Sequence, residues 1–376
     1  MKRILIIVAP LTLALFGAIA AWALLRSPPV ARGHFDPPDG AIVTYFPARE
    51  QERSLPLVIS SSMDAGFMRP FLLAYQRHHP AATIVYLQSG SNAFLDRALD
   101  ACHRGGQAAD IYLTSSTDHL MRLANENCAQ SLPSSIGAAA PARAAWRDQV
   151  VAFTVEPAVF IFGRQSAELP GPMPTNHSQL LDWLRLLPQV EGRIGTYDIE
   201  ASADGYNFAA ADSRQMAVYG RLLEALGRSS IRLYCCSNVM VDAVDRGEIL
   251  FAYNVQLSYA YAAQRAGSRI RVVLPDDFQS LQTVSFMVPK SARSPATATS
   301  LAAFLVSDEA RRIALHDLAP PDRPTGKAGP QAEQLLAQAS VTPLLLSLQD
   351  RARRDQLIRE WREAIARSAT ATDSTP

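Results

Sequence analysis

Three clusters of small hydroxylated residues could bind a ligand, because each one directly follows a short apolar run. These clusters are Ser60-Ser61-Ser62, Ser89-Gly90-Ser91-Asn92 and Thr114-Ser115-Ser116-Thr117. Each cluster also precedes a helical pattern, and Ser, Thr and Asn are the preferred residues for capping a helix N-terminus. The free N–H groups and the positive dipole end of a helix favour an anion. Three such clusters at one place exceed what capping requires, and they predict a site for an anion.

The elements that must position these clusters alternate between strand and helix from Leu55 onward. Beginning with a strand, the predicted elements are residues 57–59, 67–79, 83–87, 92–104, 110–113 and 117–127. This alternation is typical of an α/β fold in which helices cover both faces of a parallel sheet. The carboxyl ends of parallel strands share one edge, where open α/β sheets bind ligands. We therefore expect the three clusters to meet at that edge.

The middle of the chain repeats this pattern less regularly. Its predicted helices are residues 178–187, 207–226 and 238–246, and its predicted strands are residues 192–198 and 248–254. Two long extended segments, residues 151–164 and 268–290, flank this middle block as two hinge crossings would. The sequence thus predicts two lobes that face one cleft.

Polar segments of the middle block, ASADGYNF, CCSNVM and AYNVQLSYAY, match the hydroxylated clusters of the first lobe. We expect hydroxyl and amide groups from both lobes to contact a ligand in this cleft. The predicted ligand-binding residues are Ser61, Ser62, Ser91, Ser115, Ser116, Tyr206, Ser237 and Asn254.

Size and charge limit the function further. A chain of 376 residues is too long for one ordinary hydrophobic core, since single cores stop growing near about 250–300 residues, and its length suits two lobes. Lys and Arg number 36 against 35 Asp and Glu, so the net charge is only +1. Without a basic field to hold a polyanion, we expect no nucleic-acid partner.

The amino terminus resembles an export signal. Lys2 and Arg3 precede an uncharged run, residues 4–25, which Arg26 ends. The small-residue pattern at Ala21-Trp22-Ala23 fits cleavage, whereas the length of the run also fits a retained membrane anchor. Both outcomes place the rest of the chain in the periplasm, free or tethered to the inner membrane. Proline-rich residues 26–54 are then a linker.

Enzyme and cofactor motifs are missing from the sequence. It contains no HExxH, GxSxG, Walker A or GxGxxG string, and its seven histidines show no metal-ligand spacing. The carboxylates Asp204, Asp212, Asp242 and Asp245 are spaced as acid–base pairs could be, but 35 acidic residues supply such pairs by chance. We expect no enzymatic activity, no catalytic residue, no metal and no cofactor.

The chain has only four cysteines and no CxxC motif, so it is not a disulfide scaffold. Cys102 and Cys128 end successive helical patterns and could form a bridge or remain thiols; the sequence leaves both states open. For the adjacent Cys235 and Cys236 a bond would need a strained ring, so two thiols are expected.

Three longer stretches carry a resemblance to a known family. The stretches are LVISSSMDAGFMRPFLLAYQRHHPAATIVYLQSGSNAFLDRAL, RLYCCSNVMVDAVDRGEILFAYNV and VVLPDDFQSLQTVSFMVPKSARSPATATSLAAFLVSDEARRIAL. They resemble bacterial extracellular solute-binding proteins of the two-lobed type 2, which serve ABC importers for ferric iron, thiamine, polyamines and phosphorylated acids. Within this family the chain looks closest to a branch found with sensor kinases for phosphoglycerate-like or carboxylate ligands. The resemblance covers roughly residues 55–365.

This resemblance implies a monomeric trap with a small solute between two lobes, each a mostly parallel sheet flanked by helices. Lobe 1 would comprise residues 55–162 and 277–365, lobe 2 residues 163–276, and residues 366–376 a disordered tail. The partner would be an ABC importer permease or, for a tethered adaptor, a sensor kinase at the inner membrane. The expected solute is an organic phosphate or a carboxylate.

One departure from the family pattern disfavours iron. Ferric-binding relatives carry adjacent tyrosines just after the strand that corresponds to LFAYN, whereas this chain has Leu257 and Ser258 there. Leucine cannot ligate a metal. We therefore expect Tyr253, Tyr259 and Tyr261 to be core or cleft-wall residues rather than iron ligands.

Overall fold

The computed structural model describes residues 40–50, 55–106, 109–215, 217–321 and 329–371. Its strands belong to one sheet. They are β1 (Ile42–Phe46), β2 (Leu57–Ser61), β3 (Ile84–Gln88), β4 (Ile111–Thr114), β5 (Ala145–Trp146), β6 (Val150–Phe162), β7 (Ile194–Tyr197), β8 (Arg232–Tyr234), β9 (Phe251–Gln256), β10 (Arg271–Val273) and β11 (Leu281–Met287).

Helices cover this sheet. The α-helices are α1 (Ala65–His78), α2 (Ser91–His103), α3 (Thr117–Asn125), α4 (Ser134–Ala139), α5 (His177–Leu186), α6 (Ala203–Gln215), α7 (Tyr219–Arg228), α8 (Ser237–Asp245), α9 (Leu257–Arg265), α10 (Pro295–Leu305), α11 (Asp308–Asp317), α12 (Pro330–Leu336) and α13 (Arg351–Ala371). Short 3₁₀ helices lie at Arg164–Glu168, Pro188–Val190 and Pro343–Gln349.

The strand order is β1-β3-β2-β4-β11-β6-β9-β7-β8, with β5 and β10 also paired to β6. Two parallel groups, β3-β2-β4 and β9-β7-β8, lie on opposite sides of β11 and β6 in this order. Strand β6 joins them, because its first part pairs with β11 and its second part with β9. This arrangement confirms the predicted α/β class. Strand β6 accounts for most of the predicted extended segment 151–164, whose role as a hinge crossing stays a prediction.

Most predicted elements of the first lobe are confirmed to within two residues, but the predicted linker is wrong in part. Residues 42–46 form β1, which pairs antiparallel with β3 at the edge of the sheet. The sequence analysis missed this strand because it lies between Pro38 and Pro47, in a segment whose prolines indicated a linker. Ile42 and Tyr45 are exposed, as an edge strand allows, and Phe46 is buried.

Two helix predictions also need correction. The single helix predicted over residues 207–226 is two helices, because α6 ends at Gln215 and α7 begins at Tyr219. At the carboxyl end, α13 continues to Ala371, into the segment 366–376 that was predicted to be a disordered tail. Residues 372–376 lie outside the described residues.

In the part of the chain that the structure describes, three apolar clusters form the interior. Phe71, Tyr86 and Phe286 belong to a cluster around β2, β3 and β11. Phe160, Trp183 and Phe251 belong to a second one in the middle block. The third unites Leu223 of α7 with residues of α13, among them Leu357 and Trp361. Helix α13, which the sequence assigned to lobe 1, thus packs against the middle block, and the exact lobe boundaries remain a prediction.

Both cysteine pairs are disulfides. Cys102 and Cys128 join the end of α2 to the segment after α3, which resolves the question that the sequence left open. Cys235 and Cys236 are also bonded, so the expectation of two thiols is wrong. They lie at the junction of β8 and α8, where Cys236 has an extended backbone. This junction accommodates the ring that the sequence argument considered too strained.

None of the helices among the described residues is long and apolar enough to cross a membrane. The predicted signal or anchor, residues 4–25, lies outside the described residues.

Gly227 explains how closely α13 approaches α7. A Cβ atom at Gly227 would lie 2.2 Å from the backbone oxygen of Ala364, whereas one at Gly220 of the same helix would meet nothing within 4 Å. We expect Gly227→Ala to destabilise the protein by about 1–3 kcal/mol, because a backbone atom must move. Gly220→Ala should instead stabilise it by up to about 1 kcal/mol through helix propensity. Urea unfolding of both variants checks this, and equal effects would contradict the packing explanation.

Candidate functional site

The three hydroxylated clusters lie at the carboxyl ends of β2, β3 and β4, which are parallel neighbours. Each cluster leads into a helix, namely α1, α2 or α3. This confirms the expected placement of the clusters at one sheet edge. Their hydroxyl groups, however, have different partners.

The first cluster is bound within its own lobe. Ser61 is fully buried, and its Oγ accepts a hydrogen bond of 2.9 Å from the N–H of Met63. The Ser62 hydroxyl lies 2.7 Å from that of Thr114, at the end of β4. Asp64 then caps α1, with its Oδ1 accepting from the N–H of Gly66. These bonds fix the loop and link two of the clusters.

The second and third clusters contact the middle block. The Ser91 Oγ accepts a bond of 2.9 Å from the N–H of Ala203, the first residue of α6. The hydroxyls of Ser115 and Ser116 both donate to Oδ1 of Asp204, over 2.6 Å and 2.9 Å. The structure therefore brings Ser91, Ser115 and Ser116 together around the amino end of α6.

The predicted residues of the middle block lie in separate environments. The Ser237 Oγ lies 2.6 Å from the Tyr197 hydroxyl and accepts from the N–H of Gln256. Asn254 has a left-handed backbone, with φ of 61°, and its Nδ2 donates to Asp212. Tyr206 packs in the cluster with Trp361, and the Arg354 guanidinium lies over its ring. Their assignment as ligand contacts stays a prediction.

Asp204 and Asp212 lie on α6, but they do not form an acid–base pair. Asp212 accepts hydrogen bonds from Tyr253, Asn254 and Ser280, whereas Asp204 accepts from the two serines. Burial raises the pKa of both carboxyls, and these hydrogen bonds oppose the rise. Both side chains therefore act as acceptors that join parts of the fold.

Sequence reasoning missed Glu156, a fully buried residue of the crossing strand β6. Its Oε2 accepts a bond of 3.2 Å from the N–H of Ser258 in the first turn of α9. Burial raises the pKa of Glu156 to about 8, and the hydrogen bond from the Ser258 N–H opposes this rise. The single Glu in the apolar run VVAFTVEPAVFIF was the available signal.

The tyrosines of this region are hydrogen-bonded phenols. Tyr253 donates to Asp212 over 2.7 Å, and the Tyr259 hydroxyl accepts from the N–H of Asp64 over 3.0 Å. Burial holds the pKa of both tyrosines well above the ordinary range. Leu257, where the iron-binding relatives carry a tyrosine, is itself buried.

A cavity lies inside the middle block between α6, α7 and the strands. Its volume open to water is about 30 Å³, and its polar lining comes from Thr196, Asp212, Tyr219 and Asn254. The Tyr219 hydroxyl is buried without a hydrogen-bond partner. About 10–15 Å³ of such volume admits one water molecule, so this space holds one or two waters and is too small for an organic solute.

Among the described residues, one group has metal-ligand geometry: Cys102, His103 and Cys128 offer ligand atoms within 4.8 Å of one another. Both sulfurs are consumed in the disulfide, and His103 pairs with Glu126 over 2.6 Å. Because a thiolate is the ligand that binds a metal, this group fits the role of a structural bridge.

Comparisons with known proteins agree with this fold. Residues 55–317 match the family model described as bacterial extracellular solute-binding protein. The substrate-binding protein of an ABC transporter from Agrobacterium tumefaciens is 28% identical, with 86% of this chain and 98% of that chain covered and a TM-score of 0.76. No curated protein matches the chain.

Two more distant structures share the fold alone. Iron-bound HitA from Pseudomonas aeruginosa is 19% identical, with 82% of this chain and 99% of that chain covered and a TM-score of 0.62. The periplasmic binding protein AfuA from Actinobacillus pleuropneumoniae, with fructose-6-phosphate bound, is 16% identical, with 83% and 98% covered and a TM-score of 0.66.

Proposed function

Since the chain belongs to the family of bacterial extracellular solute-binding proteins, we propose that it captures a small anionic solute, an organic phosphate or a carboxylate. As a member of this family it is a periplasmic binding protein of an ABC importer and not an enzyme. Its partner is accordingly the permease of the importer. The anionic character of the solute is the new element of this proposal.

The hydroxyl pair of Ser115 and Ser116 carries the proposal. Both hydroxyls donate to one carboxylate oxygen, that of Asp204, at the amino end of α3. Hydrogen bonds to an ionised acceptor are about twice as strong as neutral ones. This pair therefore has the geometry to bind an anionic oxygen.

Further helix N-termini support the same solute class. Helix α8 begins at Ser237 and α2 at Ser91, both buried residues that follow strands of the two parallel groups. The amino ends of helices favour negative charge through their free N–H groups. A related fold also accommodates an organic phosphate, since the AfuA structure contains fructose-6-phosphate.

Thermal unfolding against a panel of solutes tests the proposal. The panel comprises phosphorylated three-carbon acids, di- and tricarboxylates, inorganic phosphate, polyamines and ferric iron. A solute at 100 times its Kd adds about 2.7 kcal/mol, which raises the Tm by several degrees. We expect one class of anions to produce this shift. A shift with polyamines or iron alone would contradict the anionic assignment and leave the family unchanged.

The double variant Ser115→Ala/Ser116→Ala tests the site itself. We expect it to lose the Tm shift, since neither side chain can then donate to the solute. Ser307→Ala is the matched control, because Ser307 caps α11 through the N–H of Ala310 and follows no strand of this edge. It should keep the shift. A full shift in the double variant would place the solute elsewhere.

A second role, that of a tethered sensory adaptor for a sensor kinase, follows from the apolar run of residues 4–25 behind Lys2 and Arg3. If this run is retained, the protein stays at the inner membrane, where it can present its loaded form to a sensor. Fractionation of cells followed by mass determination distinguishes the roles. A membrane-bound protein of full length favours the adaptor, and a cleaved periplasmic protein favours import alone.

A further inference from the structure

A side chain of the protein itself occupies the hydroxyl pair that we assign to the solute. Oδ1 of Asp204 receives both serine hydroxyls, at 2.6 Å from Ser115 and 2.9 Å from Ser116. Asp204 belongs to α6 of the middle block, whereas the serines follow β4 of the other parallel group. These two bonds therefore join the two sides of the predicted cleft.

Neighbouring contacts hold the same segment, residues 200–204, in this position. Gln282 of the crossing strand β11 donates to the backbone oxygen of Asp204 over 2.6 Å. Asn92 of α2 donates to the backbone oxygens of Glu200 and Ala201, over 2.9 Å and 3.1 Å. With the bond from Ala203 to Ser91, the segment is fixed at several points, and its Asp204 side chain brings a carboxylate to the serine pair.

A carboxylate in this place is chemically equivalent to the solute group that we expect there. Two donors that converge on one oxygen cannot serve a second anion at the same time. A second negative charge beside Asp204 would also be repelled, and more strongly in a buried site than in water. The bound solute and the bound Asp204 therefore exclude each other.

We propose that Asp204 is an internal competitor that closes the cleft in the absence of solute and that an anionic solute must displace from Ser115 and Ser116. This inference rests on the proposed anionic solute. The internal contact lowers the apparent affinity in proportion to the fraction of molecules that it occupies. If the Asp204 contact is formed in about nine-tenths of the molecules, removal of the Asp204 carboxylate raises the affinity for the solute about tenfold.

Small-angle X-ray scattering of the full chain without solute tests the closing role directly. We expect Asp204→Ala to have a larger radius of gyration than the wild type, because the charged contact across the cleft is lost. Glu200→Gln is the matched control: it removes one negative charge from the same segment, but Glu200 pairs with Arg362 and not with the serines. It should scatter like the wild type. Equal radii for Asp204→Ala and the wild type would overturn the proposal.

Binding measurements separate this proposal from the proposed function. Calorimetric titration uses inorganic phosphate and 3-phosphoglycerate as probes, with the wild type, Asp204→Ala and Ser115→Ala/Ser116→Ala. We expect Asp204→Ala to bind about tenfold more tightly and the serine variant to bind neither probe. Weaker binding by Asp204→Ala would overturn the proposal that Asp204 competes with the solute and would make Asp204 a direct contact of the solute.

The scattering result decides the proposal when neither probe binds any variant. Expansion of Asp204→Ala would then support the internal contact while the anionic assignment fails. Conversely, the wild type could bind a probe tightly while Asp204→Ala binds it no more tightly. This result would support the anionic solute and overturn the proposal that Asp204 competes with it.

Discussion

Replacement of Asp212 by Ala should destabilise the protein by about 3–5 kcal/mol, because three buried donors lose their acceptor together. The carboxylate accepts from Tyr253 and Asn254 at 2.7 Å each and from Ser280 at 2.6 Å. Each buried polar group left without a partner costs about 1–3 kcal/mol. Relief of the buried charge offsets part of this sum, since burial raises the pKa of Asp212.

Asp212 has this large effect because it joins three parts of the chain. It lies on α6, whereas Tyr253 and Asn254 belong to β9 and Ser280 immediately precedes the crossing strand β11. Asn254 also keeps a left-handed backbone that its side-chain bond to Asp212 helps to hold. Loss of the carboxylate thus loosens both the middle block and one crossing.

Urea unfolding with single-bond controls checks this expectation. Ser280→Ala and Tyr253→Phe each remove one donor and should cost about 1 kcal/mol, the usual net value of a hydrogen bond. If Asp212→Ala costs no more than either control, the three bonds do not act through this carboxylate. A double-mutant cycle between Asp212 and Ser280 measures their coupling.

The first lobe shows how much the sequence could predict. Its strands and helices follow from apolar runs and amphipathic spacing, and the parallel order of β2, β3 and β4 places the hydroxylated clusters at one edge. The direction of each hydroxyl did not follow, because Ser61 bonds locally while Ser115 crosses to Asp204. Local pattern sets which edge a residue reaches, and tertiary packing sets its partner.

The middle block was predicted less well for the same reason. Asp204 was noticed only as one of many carboxylates, since nothing in its neighbourhood indicates that two serines 88 and 89 residues away donate to it. Glu156 was missed, although it is the single charge in an apolar strand. The break between α6 and α7 and the position of α13 depend on contacts between distant segments, and these leave little signal in the local pattern.

Glu156 should make the protein less stable as the pH rises from about 4.5 to about 8. Its pKa is 4.5 in an unfolded chain and about 8 in the folded protein, where burial is the main cause. The folded state therefore holds a proton that the unfolded state releases in this range. The stabilisation that protonated Glu156 contributes is complete below pH 4.5 and is lost as the pH rises through 8. The loss is about 5 kcal/mol at 1.36 kcal/mol for each pH unit, an order-of-magnitude figure.

The variant Glu156→Gln removes this titration while it keeps the shape of the side chain. Its amide oxygen can still accept from the N–H of Ser258, and its amide nitrogen can donate to the Ser258 hydroxyl, which is buried without a partner. We expect the variant to match the wild type at pH 4.5 and to exceed its stability by several kcal/mol at pH 8.5. Urea unfolding at half-unit pH intervals measures the difference.

The control must account for other acids, since Asp317 and Asp204, both half-buried, also raise the pKa of Glu156 through their charge. Burial raises the pKa of Asp317 itself to about 6, so its contribution ends near that pH. Asp317→Asn should therefore retain the decline in stability between pH 6 and 8, whereas Glu156→Gln should abolish it. A decline of unchanged size in Glu156→Gln would contradict the assignment of this titration to Glu156.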